Sequence, residues 1–422
     1  MALIVQSLLG LVVFVGLAWL LSENRKRFNW KLPVALISVQ FVFALIILNT
    51  PITERFFYGV NAGVDALQKA TEFGTSFVFG YLGGGDLPFI QAEGSDAYVF
   101  AFRALPLIIF VSALSALLFY LGVLPRIIQL FGRLIRHMSG IDKAAALGSA
   151  ANIFIGMVES PLLVRPYLKS MSRSSLFVIM TTGMCTVAGT VFALYVAILD
   201  GVVPNVAGHV IISSVLSAFA GVLVALIMVP PEEEAPPADG NIDFVSYDSA
   251  MDAMTAGTAQ GLQIFLNVLA SLIVALALVH LANSLISAIA EPFGVTLSLE
   301  MMAGWVMAPL MWLAGMNWAE AQIAGSLMGV KTIFNELLAF IQLTQLPEQV
   351  LSPRARIVTL YCLNGFANFS SLGIMMTGLI AVVPERRKDL LQLGPRTLIS
   401  GTLATLITGA IVNLVIWDMP NG

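Results

Sequence analysis

Residues 150–167 read AANIFIGMVESPLLVRPY. The stretch is apolar enough for lipid, yet Glu159 sits at its middle, with Gly156 before it and Pro161 two residues after. A carboxylate at the centre of a lone membrane helix costs about 2.5–3.5 kcal/mol, so such a residue is a functional candidate by default. Glycine lets the backbone turn, while proline lacks an N–H and suits the start of a helix better than its interior. Asn152–Ser160 is therefore expected to be a helix end, a turn and a new helix start. Backbone groups left open there are tolerable at membrane depth only against protein or a watery cavity. A kinked helix with Glu159 paired to Arg165 or Lys331 is the alternative.

The rest of the chain sets this stretch in a membrane. Of 422 residues, 58% are hydrophobic and 11% charged, and the mean hydropathy is +0.90, whereas soluble domains are about a quarter charged. Apolar blocks long enough to span a bilayer recur at Leu3–Leu21, Leu32–Leu48, Tyr98–Leu121, Ser174–Leu199, Val206–Val229, Leu262–Ile289, Ile357–Val382 and Thr397–Ile416. The expectation is an all-α, polytopic integral membrane protein forming one domain over residues 1–422. Leu3–Leu21 has no basic residue before it and is too long for a signal-peptide core, so it reads as a retained first helix. Between the spans lie apolar stretches too short or too punctuated to cross cleanly, at Phe56–Leu82, Leu124–Met138, Asp142–Lys169 and Trp318–Leu343. Pro230–Asp248 is an acidic, proline-rich surface loop.

Composition also excludes. Two cysteines inside apolar segments and three scattered histidines imply neither a disulfide framework nor a Cys/His metal site, and a net charge of −4 gives no reason to expect nucleic acid as a partner. Without such a cluster or a Gly-x-Ser-x-Gly elbow, an intramembrane enzyme using two carboxylates as acid and base is a weak reading.

Basic residues accumulate on the cytoplasmic side of membrane spans. Clusters at Arg25/Lys26/Arg27/Lys31, Arg126/Arg133/Arg136/Lys143 and Arg386/Arg387/Lys388/Arg396 agree on one topology, with both termini outside. Arg354 and Arg356 fall on the outside by this count and are exceptions to it. Leu124–Met138 spaces its arginines as an interfacial helix would. Asp65 and Glu72 read as the polar face of another such helix, and the methionines between Met301 and Met316 as gap-filling core.

A second carboxylate repeats the opening pattern. Gly148-Ser149 precedes Glu159, and Gly325-Ser326 precedes Glu336, by eleven residues in each case. Upstream stand Asp142 and Glu320, acids suited to starting a helix. Downstream, each carboxylate is followed by a span interrupted by small and polar residues, Thr186–Thr190 in one half and Gly365–Ser371 in the other. Duplicated broken helices meeting at the midplane are a transporter pattern.

At these residues the sequence resembles the concentrative nucleoside transporter family over essentially its full length. The stretches that carry the resemblance are GTSFVFG (Gly74–Gly80), FRALPLIIFVSALSALLFYLGVL (Phe102–Leu124), AANIF with a Gly-x-x-Glu tip (Ala150–Glu159), NELLAF (Asn335–Phe340) and GFANFSS (Gly365–Ser371). The resemblance implies a homotrimer in the bacterial inner membrane, surrounded by lipid. Each protomer would have eight transmembrane helices, two re-entrant helical hairpins, interfacial helices and an inverted repeat. A scaffold (about 1–50, 98–121 and 262–289) would hold the trimer. A transport part (about 56–82, 124–229 and 318–416) would carry the site and move against it. The implied cargo is a nucleoside, with Met157, Val158, Glu159 and Val191 toward the base, and Glu336, Asn368 and Ser371 on ribose hydroxyls beside Phe366. Ionised carboxylates accept and an asparagine both accepts and donates, which suits hydroxyl-rich solutes.

One departure bears on coupling and selectivity. Where the family tip reads Gly-Gln-Ser/Thr-Glu, this chain has Gly156-Met157-Val158-Glu159. The sodium shell the resemblance implies is Asn152 and Thr186 by side chain and Ile155 and Val187 by carbonyl, with Val158 able to offer only its carbonyl. Sodium or a proton therefore stands as the co-transported ion, with no other cofactor. The same fold carrying a modified nucleoside or another ribosyl compound is the alternative cargo.

Overall fold

The apolar blocks fold as helices, and no strand occurs among the described residues, 2–90, 97–231 and 247–416 of a computed structural model. α1 (Ala2–Leu20) and α2 (Lys31–Asn49) are followed by α3 (Pro51–Phe79), which opens on its proline and turns Val64 and Thr71 inward while Asp65 and Glu72 stay exposed. The expected span at Tyr98–Leu121 is divided into α4 (Phe100–Arg103) and α5 (Leu107–Tyr120). Pro106 lies at the division, where it has no N–H to give a continuous helix. α6 (Val123–Ser139) lies between Gly122 and Gly140, both left-handed, and is amphipathic: Leu124, Ile128 and Ile135 are buried while Arg126, Arg133 and Arg136 are exposed.

The two punctuated regions break as their residues demand. α7 (Lys143–Ala151), α8 (Glu159–Leu163) and α9 (Arg165–Leu168) replace one continuous helix, and α10 (Arg173–Cys185) stops before α11 (Gly189–Leu199). α12 (Val206–Met228) is buried along almost its whole length. α13 (Ala250–Ala290) outruns the expected Leu262–Ile289 at 41 residues, about 60 Å at 1.5 Å per residue. Most of the acidic loop before it lies outside the described residues. The methionine run forms α14 (Leu299–Leu313). Only part of that run is core, since Met311 and Met316 are buried while Met301 and Met302 are exposed. α15 (Trp318–Ile333), α16 (Glu336–Gln345), α17 (Pro353–Leu363), α18 (Phe369–Val382) and α19 (Arg387–Val415) complete the chain.

Seven stretches among the described residues are long and apolar enough to cross a membrane. The expected span Ile357–Val382 is not one of them, because Asn364 and Asn368 separate α17 from α18. α12 and α19 pack on each other at the centre, and each of the helices α10 and α17 packs on both. Around them α1 and α2 lie on α19, α13 on α5, and α14 on α15.

Arg354 and Arg356 lose their status as exceptions to the charge pattern. Both are buried: Arg354 donates to Asn413 Oδ1 (2.7 Å) and to its carbonyl (2.5 Å), and Arg356 to the Pro347 carbonyl (2.8 Å). Their charges are answered by oxygens inside the protein instead of marking a membrane surface. Asn413 Nδ2 also donates to Ser7 Oγ (2.8 Å), so Arg354 ties α17 to both terminal helices. Arg354→Met is expected to destabilise the protein by about 2–4 kcal/mol, since it strands buried acceptors. The thermal midpoint of the detergent-solubilised protein should fall accordingly, and an unchanged midpoint would show that the contacts contribute nothing.

Candidate functional site

The first arm starts at Asp142, which caps α7 by accepting from the Ala145 N–H (2.7 Å) and also accepts from Ser175 Oγ in the first turn of α10. α7 ends at Asn152, and the chain re-enters a helix at Glu159. Gly156 leaves room between them for the Glu159 carboxylate: a Cβ there would lie 2.0 Å from Glu159 Oε2, so the carboxylate would have to move. Pro161 falls in the first turn of α8, where its missing N–H is harmless. Ser160 Oγ donates to the Gly148 carbonyl (2.6 Å), folding the new helix back on α7. The tip is fastened to the α10/α11 break where the Gly189 N–H donates to the Phe154 carbonyl (3.0 Å).

The second arm repeats the first of these fastenings, the capped start and its link to the next span. Asn317 caps α15, and Glu320 in its first turn accepts from the Ser352 N–H (2.9 Å) at the start of α17, as Asp142 reaches the start of α10. α15 ends at Phe334, Asn335 caps α16 through the Leu338 N–H (2.8 Å), and Glu336 is the first residue of α16. The two breaks sit back to back, because Gly365 leaves only 2.9 Å from its Cβ position to the Cys185 backbone.

Both carboxylates line one cleft of about 170 Å³, together with Met157, Val158, Val191, Phe366 and Ser371. Glu336 is 4% exposed; its Oε1 accepts from the Tyr195 hydroxyl (2.5 Å) and its Oε2 from Asn368 Nδ2 (2.8 Å). Asn368 itself is fully buried behind Glu336, and its Oδ1 caps α18 by accepting from the Ser371 N–H (2.6 Å). Glu159 is half-buried and accepts from Gln260 Nε2 of α13 (2.9 Å). Neither basic residue considered as its partner takes that place, and Lys331 is bound elsewhere.

The sequence reading missed Tyr195, Gln260, Asn267 and Ser271, all of which touch a carboxylate or line the cleft. Signals were present. Tyr195 is four residues after Val191, on the same helical face, and Gln260, Asn267 and Ser271 recur at helical spacing along an otherwise apolar α13. A larger cavity, about 670 Å³, opens among Arg27, Arg133 and His137, away from both carboxylates.

The residues singled out for an ion divide. Asn152 Nδ2 donates to the Ile179 carbonyl and to Thr182 Oγ1 (3.1 Å each), while Asn152 Oδ1 is buried and has no hydrogen-bond partner among the described residues. Thr186 Oγ1 lies 2.9 Å from the Asn152 carbonyl and 2.8 Å from that of Thr182. Ile155 belongs to the tip and Val187 to the break that face one another here. The Val158 side chain packs toward Gly378 and the cleft.

Three family profiles match the chain: "Na+ dependent nucleoside transporter N-terminus" over residues 9–82, "Nucleoside recognition" over 101–202 and "Na+ dependent nucleoside transporter C-terminus" over 209–413. An uncharacterized transporter of Haemophilus influenzae is 35% identical, with 98% of each chain covered. Nucleoside permease NupC of Helicobacter pylori is 31% identical, with 97% of each covered. Rat sodium/nucleoside cotransporter 1 is 31% identical over 97% of this chain and 63% of its own length. Among solved structures, CNTnw in an inward-facing, substrate-bound state superposes with a TM-score of 0.89 at 33% identity, and a CNTnw variant in an outward-facing state with 0.91 at 33%, each covering 98% of both chains. With profiles matching along its length and relatives matching nearly end to end, this integral membrane protein belongs to the concentrative nucleoside transporter family.

Proposed function

We propose that the chain is a cation-coupled symporter that imports nucleosides across the bacterial inner membrane by alternating access. The observation that carries this reading is the convergence of Glu159 and Glu336, each the first residue of a restarted helix, on one cleft. Glu159, Met157, Val158 and Val191 face the nucleobase. Glu336 and Ser371 accept and donate to ribose hydroxyls beside Phe366, and Asn368 acts largely through Glu336, which it holds. A site built this way rejects sugars lacking a hydroxyl, whose loss would leave its buried groups unpaired.

The two arms act as re-entrant hairpins within an inverted repeat of eight spans, and the matched fastenings Asp142–Ser175 and Glu320–Ser352 support the duplication. Residues about 56–82, 124–229 and 318–416 move against a scaffold of about 1–50, 98–121 and 262–289. The scaffold contributes Gln260, Asn267 and Ser271 from α13 to the cleft wall. Exposed leucines along α13 suit contact with lipid and with two further copies in a homotrimer, with both termini outside the cytoplasm.

For coupling, the unpartnered Asn152 Oδ1 favours a sodium ion beside Thr186, because a buried acceptor without a donor is satisfied by a cation or water. A proton on one of the glutamates is the other carrier. Uptake of labelled uridine and adenosine into proteoliposomes under separately imposed sodium and proton gradients tests cargo and coupling together. Accumulation under neither gradient would reject symport.

Met157 keeps a second cargo in view, since a thioether at the cleft offers dispersion but no amide pairing to a base. Met157→Gln is expected to shift competition between pyrimidine and purine nucleosides by about tenfold, the effect of one hydrogen bond of about 1–1.5 kcal/mol. A competition panel unchanged from wild type would remove Met157 from the base's surroundings. If no natural nucleoside competes at all, the cargo is a modified nucleoside or another ribosyl compound.

A further inference from the structure

Lys331 is fully buried and has no role in the mechanism above. It lies in the last turn of α15, and its ammonium donates to the Cys362 carbonyl (2.8 Å), in the last turn of α17, and to Thr405 Oγ1 of α19 (3.3 Å). Two helix C-termini, each the negative end of a dipole, therefore meet around one positive charge. The first half builds the same meeting without the charge. α7 ends beside the last turn of α10, and the residue reaching across is Asn152, whose Nδ2 contacts Ile179 and Thr182 and whose Oδ1 is left bare. No basic residue occurs between Lys143 and Arg165 to supply a cation there.

We propose that Lys331 is a tethered cation, its ammonium permanently filling at the α17/α18 break the position that a co-transported cation fills at the α10/α11 break. The inference rests on reading the Asn152 site as the ion site. It explains why two halves with matched fastenings need one mobile ion between them. Lys331 also lies five residues before Glu336, across the α15/α16 break, so that a fixed positive charge stays near the ribose-side carboxylate whether or not an ion is bound. It is a positioning residue and does not touch the nucleoside.

The test is uridine uptake by full-length protein in liposomes as a function of the driving cation. Lys331→Gln is expected to weaken apparent uridine affinity about tenfold or more at low cation concentration, a typical coupling between sites. Raising the cation should restore that affinity, with a dependence steeper by one ion. Lys331→Arg should keep the wild-type steepness, whatever its absolute rate. Unchanged steepness in Lys331→Gln, or the same increase in Lys331→Arg, overturns the proposal. If Lys331→Gln folds poorly, its recovery and thermal midpoint should rise with cation concentration more than those of wild type; equal recovery at low and high cation overturns it. Wild-type uptake indifferent to every cation would reject symport alone, and the midpoint comparison would still read out on Lys331.

Discussion

Glu336→Gln is expected to reduce nucleoside accumulation by about a hundredfold or more while leaving the protein folded. The carboxylate accepts from Tyr195 on one oxygen and from Asn368 on the other, in a position 4% exposed. Hydrogen bonds to a charged group contribute about 1.5–3 kcal/mol each, and a glutamine can accept on only one of its two terminal atoms. Its amide nitrogen would face either the Asn368 amide, donor against donor, or the tyrosine hydroxyl, which would have to reverse its role. A loss of about 3 kcal/mol corresponds to about two factors of ten. Tyr195→Phe removes a single donor and should cost about tenfold. Uptake by reconstituted variants, normalised to folded protein, reads both effects; near-normal accumulation by Glu336→Gln would show that the carboxylate is structural.

Gly189→Val should separate the tip of the first arm from the helix break it leans on. A Cβ at Gly189 would lie 2.5 Å from the Phe154 carbonyl oxygen, the same atom that accepts from the Gly189 N–H. The obstacle is backbone, so no side chain can rotate away. Overpacking of this kind costs about 1–3 kcal/mol, which here is strain between the two segments that flank Asn152, Thr186 and Glu159. Nucleoside affinity is expected to fall by about ten- to a hundredfold, with weakened dependence on the driving cation. Gly16→Ala, where nothing lies within 4 Å of the Cβ position, is the control. If Gly189→Val transports like the control, tip and break do not have to touch.

Most of this arrangement could be read from the chain because it rests on local chemistry. Gly156 and Pro161 favour a turn and a restart around Glu159 whatever surrounds them, and the small and polar run Gly365–Ser371 marks an interruption within a span. What escaped was set by distant partners. Nothing near Arg354 in sequence announces Asn413, so two buried arginines read as surface charges. Gln260 takes its meaning from Glu159 lying opposite, a pairing across about a hundred residues that spacing within α13 does not announce. Charge alone suggests Lys331 as a partner for Glu159, but the groups that receive it, the Cys362 carbonyl and the Thr405 hydroxyl, are 31 and 74 residues further along.

The last helix carries a consequence for how the molecule is made. α1, α2, α10, α12 and α17 all rest on α19, and Asn413 joins Ser7 near the opposite end of the chain. Contacts this far apart in sequence cannot form until α19 itself has been made. The segments that precede it must wait in the bilayer half-assembled, and the arrival of α19 closes them into one body, as a keystone closes an arch.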